Sequence, residues 1–359
     1  MSLLVAKSDP VSPSSSPFEG FDVRLDPWSV DYGAELPAAS DREEPAVEVD
    51  PYIEAPRDGW QARSPLPSDA MPLPDEVVFV DGVRRLELRV IVPRGPGGIA
   101  WAHGAFGSWG VGAVIAGPPG EGEGRMAFGP HEVGRCLVVG SGVRPPARVV
   151  LGPGLAWDNH AAEGDEADVP PTWVHRKMRE AEESFARRMA TTPAGSGRLV
   201  VSDGPLSFVD RSPASVLGLV KRLHEIYLPD ALVPVLQGLT AGQRTPLVAL
   251  QGTAFPRYTW FVRLADPAMG EPPLSGLVRV EAAIGVGREE TARLADLSAI
   301  MLPRYVPARA RDARAPQNLL AIGALEAHLR RQLGDQTLLR RHLETLVRGA
   351  ARPTPAAHS

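Results

Sequence analysis

Cysteine is almost missing from this chain: Cys136 is the only one in 359 residues. That excludes an intrachain disulfide framework and any thiolate-rich zinc or iron-sulfur centre. A metal site must therefore be built from carboxylates or histidine, and a reducing, cytoplasmic setting is expected. Lysine is nearly as scarce. Lys7, Lys177 and Lys221 are the only three, so nearly all of the 38 basic residues are arginine. No G-x-x-x-x-G-K-[ST] phosphate loop occurs, no G-x-G-x-x-G follows a strand, and no G-x-S-x-G surrounds a serine, which sets aside nucleotide hydrolysis by that loop, hydride transfer and α/β-hydrolase chemistry. A net charge of −5 argues against coating nucleic acid by bulk charge and leaves room for a local basic groove. The apolar start Met1–Ala6 is interrupted by Lys7 and Asp9, so no secretory signal is expected. Between Gly95 and Gly120 formal charge is absent, with His103 neutral. Glycines at 104, 107, 110, 112 and 117 and the Pro118-Pro119 pair there suit a buried pair of strands better than a membrane helix.

What is abundant is proline and glycine, 37 and 36 residues, which implies long connections. Residues 1–75 are rich in Pro, Ser and acidic side chains and read as an extended segment. Its apolar residues Phe18, Phe21, Val23, Leu25, Trp28, Val30, Tyr32 and Leu36 would dock either on the chain's own body or on a partner. A domain is predicted over 76–348, followed by a flexible tail over 349–359. Val77 to Gly82 and Arg85 to Val92 read as a β-hairpin. Further strands are expected at 99–105, 135–139, 147–151, 198–202, 247–251, 258–264 and 276–284. Helices are expected at 171–190, 213–227, 289–301, 316–333 and 336–348. Strands first, then alternating helices and strands, predict an α/β domain with one mixed sheet.

Two acids are placed alike. Asp81 and Asp203 each close a β-rich run and each precede glycine, so both side chains are expected at strand ends. Asp-Gly alone is also ordinary turn chemistry. If the two ends are adjacent, their carboxylates converge, and a hard divalent cation is the natural neutraliser. Before Asp203, Met178, Ala181, Phe185 and Met189 mark one face of a helix. Glu182 falls inside that arc, whereas Glu180 and Glu183 point away. An inward Glu182 is either a third ligand or a core-edge acid paired with Arg179 or Arg187. The acidic stretch Asp158, His160, Glu163, Asp165, Glu166 and Asp168 lacks an EF-hand frame and reads as a solvated loop.

Phe79-Val80-Asp81-Gly82-Val83-Arg84-Arg85, Val201-Ser202-Asp203-Gly204-Pro205-Leu206 and Gly218-Leu219-Val220-Lys221 follow one another in an order that resembles the NurA nucleases. Gly242-Gln243-Arg244-Thr245-Pro246, Arg257-Tyr258-Thr259-Trp260, Val278-Arg279-Val280-Glu281 and Ala315-Pro316-Gln317-Asn318-Leu319 extend the resemblance over roughly 76–348. It implies a ribonuclease H-like fold, a manganese (or magnesium) site at Asp81, Asp203 and Glu182, and hydrolysis of DNA ends beside a HerA-type hexameric ATPase. It also implies a homodimer and a role in repair or in defence against foreign DNA. Lys221 and Arg244 become candidates for steadying phosphates, and Tyr258 and Trp260 for stacking on a strand. Where many relatives carry a late Ala-His or Ala-Asp pair, this chain has Ile322-Gly323. The fourth ligand is then open among Asp312, Asn318, Glu326 and His328, and a weakened, DNA-clamping adaptor is the alternative to a nuclease.

Overall fold

The computed structural model describes residues 17–18, 21–27, 47–66, 72–94, 100–117, 126–145, 148–191, 198–206, 216–223, 225–310 and 314–350. Its elements are β1 (Arg24–Leu25), β2 (Glu48–Asp50), β3 (Glu76–Arg94), β4 (Ala100–Ala116), β5 (Met126–Val139), β6 (Val149–Gly152), β7 (Leu155–Ala161), α1 (Val169–Thr191), β8 (Arg198–Asp203) and β9 (Val216–Val220). After these come α2 (Val233–Gly238), β10 (Val248–Gln251), β11 (Arg257–Arg263), β12 (Leu277–Ala283), α3 (Arg288–Met301), α4 (Leu320–Gln332) and α5 (Gln336–Ala350). All twelve strands join one mixed sheet in the order β2-β10-β11-β12-β9-β8-β3-β4-β5-β7-β6, with β1 added to β3. The α/β class with a mixed sheet flanked by helices is therefore observed. Among the described residues no helix is long and apolar enough to cross a membrane.

The centre is β3, which is a single 19-residue strand rather than the expected hairpin. From Val77 to Arg94 it pairs antiparallel with β4, interrupted by one bulge near Leu86 and Leu88. Gly82 does not turn the chain because it lies flat against α1: a Cβ there would stand 3.1 Å from Met178 Cγ. The uncharged stretch likewise forms one strand, β4, within residues 100–116. Its glycines let helices approach closely, as at Gly107, where a Cβ would fall 2.6 Å from Val174 Cγ2.

On the opposite edge of β3, residues Glu76–Val80 pair in parallel with β8, and β8 pairs in parallel with β9. The helix expected at 213–227 is thus replaced by β9, whose five residues are all buried. A strand covered on both faces reads Val-Leu-Gly-Leu-Val without alternation, and that pattern carries no period to separate it from a helix. Asp158 and His160, expected in a loop, lie on β7.

α1 covers one face of the sheet, packing Met178, Phe185 and Met189 on Val78, Val80 and Val111. The other face carries α3 and α4, with Leu294, Leu325 and Leu329 in one cluster with Phe79, Val201 and Trp260. Beyond the bulge, β3 is covered by the two ends of the described chain: Phe18 and Val23 share a cluster with Leu339, Leu343 and Val347 of α5.

The boundary expected at residue 76 does not separate two packing units. β2 is an edge strand paired with β10, and Trp60 is buried beside Val248 and Leu250. Of the apolar residues expected to dock, Phe18, Phe21, Val23 and Leu25 pack on the chain's own body. Trp28, Val30, Tyr32 and Leu36 lie outside the described residues.

Residue 54 shows how firmly this early segment is built in. Arg244 is 1% exposed, and Glu54 receives its Nη1 and Nη2 at 2.9 and 2.8 Å, while Asp296 receives Nε at 2.6 Å. Glu54 also accepts the Leu247 amide at 2.7 Å. Burial opposes ionisation of Glu54, yet Arg244 holds its carboxyl below the ordinary range. Removing one member of a buried pair leaves the other charge uncompensated. Glu54→Ala is therefore expected to cost about 3–5 kcal/mol, read as a lower urea midpoint, while Asp296→Ala, at a more exposed position, costs less. Equal midpoints for wild type and Glu54→Ala would contradict this account.

Candidate metal centre

β8 stops pairing with β3 at the Val80–Ser202 pair, and β3 runs on. The two residues that follow this last rung are Asp81 and Asp203. Strand alternation sends both side chains to the α4 face, since their neighbours Gly82 and Ser202 face Met178 and Glu182 of α1. After Asp203 the chain turns through Gly204, at φ 95°, whose amide donates to the Leu219 carbonyl at 2.8 Å. Only glycine adopts that conformation without strain. The turn is held further on, where the Leu206 amide donates to the buried Glu281 carboxylate at 3.0 Å.

Glu326 of α4 completes the group. Carboxylate oxygens of Asp81, Asp203 and Glu326 lie within 4.8 Å of one another. Asp81 Oδ1 accepts the Gly82 amide at 2.7 Å, whereas Asp81 Oδ2 and Asp203 Oδ1 are buried with no hydrogen-bond partner. Lys221 Nζ lies 2.7 Å from Asp203 Oδ2 and donates to Asn318 Oδ1 at 2.9 Å. Arg314 Nη1 donates to both oxygens of Glu326, at 3.1 and 3.0 Å.

Burial and then the carboxylates of Asp203 and Glu182 push Asp81 well above the usual carboxylate range, against the pull of Lys221. Asp203 is raised by burial, with Lys221 opposing and Glu326 adding to the rise. Buried carboxylate oxygens left without donors are costly, and an all-oxygen donor set of this kind could hold a metal ion.

Glu182 faces inward as its helical phase predicts, and it is 2% exposed. It approaches from the α1 face, however, and its oxygens are engaged: Arg179 Nη1 donates at 2.8 Å and Ser202 Oγ at 3.3 Å. Its carboxyl is pushed up to about 7, chiefly by burial, with Arg179 resisting. Glu182 thus borders the three-carboxylate group and pairs with Arg179. It is Glu326 that stands with the two aspartates. Glu326 is four residues after Ile322 and three before Leu329, both fully buried. The same wheel that selects Glu182 therefore selects Glu326.

The structure brings Lys221 to the centre but not the other expected contact residues. Arg244 is buried in its ion pairs, and Trp260 is wholly inside, donating Nε1 to Ser298 at 2.9 Å. Neither has a surface to offer DNA, which corrects both expectations. Tyr258 is half-buried on β11, separated from β8 by β12 and β9. Of the open choices for a fourth ligand, Asn318 is tied to Lys221, and His328 stacks on Phe128 at 4.2 Å. Asp312 lies outside the described residues.

No known protein-family model matches the chain, and no curated protein matches it either.

The raised carboxyls fix the sign of a stability effect. A carboxyl whose folded pKa exceeds its unfolded value binds more protons in the folded state. Its contribution is complete below the unfolded pKa near 4 and is lost as pH climbs through the folded value. For Glu182 that value is about 7. Chelator-treated protein should accordingly melt at progressively lower temperature between pH 5 and 8, and Asp81→Asn should melt higher than wild type at pH 8. Manganese at a hundredfold excess over its dissociation constant should restore about 2.7 kcal/mol in wild type and much less in Asp81→Asn. A melting temperature independent of both pH and manganese would refute the centre.

Proposed function

We propose that this chain is a metal-dependent deoxyribonuclease of the NurA type, processing DNA ends as a homodimer beside a HerA-type ATPase. The observation that carries the reading is the pair of donor-free buried oxygens on Asp81 and Asp203 within a three-carboxylate group. The topology supports it as well. In β5-β4-β3-β8-β9, three antiparallel strands adjoin two that run parallel to β3, and α1 connects the two sets. This is the arrangement expected of a ribonuclease H-like core, with acids on the first strand, the fourth strand and a late helix.

Asp81, Asp203 and Glu326 would hold manganese or magnesium, and an ion bound there supplies the acidity and positive charge that phosphodiester hydrolysis needs near neutral pH. The protein's own groups do the rest. Lys221 keeps one oxygen of Asp203 fixed and places a compact cation at the edge of the centre, where it can meet a phosphate oxygen. Asn318 fixes the ammonium in turn. Arg314 holds Glu326 through both carboxylate oxygens. Arg179 couples Glu182 to the carbonyls of Asp203 and Pro205, so the inward acid and the Gly204 turn move as one. Glu326 supplies a carboxylate from the late helix, which supports the nuclease reading over the weakened adaptor.

The test is cleavage of linear DNA with manganese, with and without the ATPase. Asp81→Ala, Asp203→Ala and Glu326→Gln should each lose more than about 100-fold, exceeding the usual cost of removing a ligand's supporting partner. Manganese-dependent cutting retained by any of the three would remove that residue from the centre.

A separate comparison concerns the helix. Glu183 is partly exposed and paired to Arg187, so Glu183→Gln should cleave like wild type while Glu182→Gln is strongly impaired. The reverse ranking would show that the inward acid plays no part.

A further inference from the structure

Three residues beyond Asp81 on the same strand is Arg84, half-buried on the α1 face opposite Trp109 of β4. Its Nε donates to His175 Nδ1 at 3.1 Å, and among the described residues it forms no ion pair. Its neighbour His175 is neutral: burial first, then the cations Arg84 and Arg179, push the imidazole down to about 4. The inward acid on that side, Glu182, is already held by Arg179. Most other arginines drawn into this fold are matched by carboxylates, as Arg244 is by Glu54 and Asp296, or are spent on backbone carbonyls, as Arg263 is on four of them. Arg84 has neither, although burial lowers its pKa.

The edge of β3 beside Arg84 has no strand partner among the described residues. β8 ends beside Val80, and β1 does not join the same edge of β3 until Val90 and Ile91. Between them, no described strand pairs with that edge. Asp81 and Arg84 are about 10 Å apart along the strand, on opposite faces of it, and share the edge of β3 that β8 leaves after Val80.

We propose that Arg84 is a phosphate-binding residue, gripping a backbone phosphodiester of the DNA strand that leads to or from the metal centre. Its Nε is committed to His175, so the imidazole sets the plane of the guanidinium and leaves both Nη groups to form a fork, the geometry that suits a phosphate. His175 acts as a positioning residue. The proposal rests on the nuclease reading, since the phosphate is that reading's substrate.

The test separates the two. Binding of a fluorescent single-stranded oligonucleotide is measured in calcium across a salt series, and cleavage is measured in manganese, for wild type, Arg84→Ala, Arg84→Lys and Asp81→Asn. Arg84→Ala should bind about 10-fold more weakly, with a salt slope shallower by about 0.7 for a lost single-strand phosphate contact. It should raise KM with little change in kcat, and its Tm should not fall, because no internal ion pair is broken. Arg84→Lys should recover part of the affinity, whereas Asp81→Asn should bind DNA without cutting it. A lower Tm for Arg84→Ala with unchanged affinity and salt slope would make Arg84 structural and overturn the proposal. Wild-type protein that binds with Arg84-dependent salt sensitivity but never cleaves would leave the phosphate site standing and overturn the nuclease reading instead.

Discussion

Repulsion among three carboxylates is the constraint around which this molecule is arranged. Asp81, Asp203 and Glu326 reach the centre from two strands and a late helix, separated in the chain by more than a hundred residues each, and like charges at such range resist assembly. The surrounding fold supplies the compensation. The parallel pairing of β3 with β8 sets two of the acids side by side, and the hydrophobic packing of α4 drives in the third. Lys221 and Arg314 then offset part of the charge. The residual excess, lodged on buried oxygens of Asp81 and Asp203 that accept no hydrogen bond, is what would let the group hold a metal ion.

Much of this was legible in the sequence, and the misses share a cause. Asp81 and Asp203 were visible as acids closing apolar runs, and Glu182 as a charged residue inside an apolar arc. Both signals are local. Glu326 carries the same helical signal, but without the sheet nothing ties a residue on α4 to Asp203. β9 escapes the sequence pattern because a strand buried on both faces loses its alternation, and β3 reads as two strands because Asp-Gly is turn chemistry wherever tertiary packing does not override it. Arg244, Tyr258 and Trp260 looked available for DNA because side-chain type says nothing about depth. In the fold, Arg244 and Trp260 lie at 1% and 0% exposure.

The near-replacement of lysine by arginine has a structural side. Arg263, with no exposed surface, reaches the carbonyls of Leu236, Leu239, Pro273 and Ser275, and so fastens two loops to β11. Arg244 ties the early segment to the body. The fork of a guanidinium satisfies several acceptors at once, which a single ammonium cannot do. Against that background, the lysine found at the acidic centre stands out by chemistry: Lys221 is a compact charge on a flexible stem, suited to following a small displacement of Asp203.

The covering of the far half of β3 by both ends of the described chain bears on how the protein is made. Val90 and Val92 are capped by Phe18 and Val23 from one side of the sequence and by Leu339, Leu343 and Val347 from the other. During synthesis, the first of these partners emerges long before the last. A ribosome-bound chain lacking α5 therefore displays an apolar stretch of its longest strand, with the two-residue β1 as its edge partner there. Covering this part of β3 is thus a late event of high contact order, the kind of step that slows folding and leaves apolar surface exposed in the nascent chain.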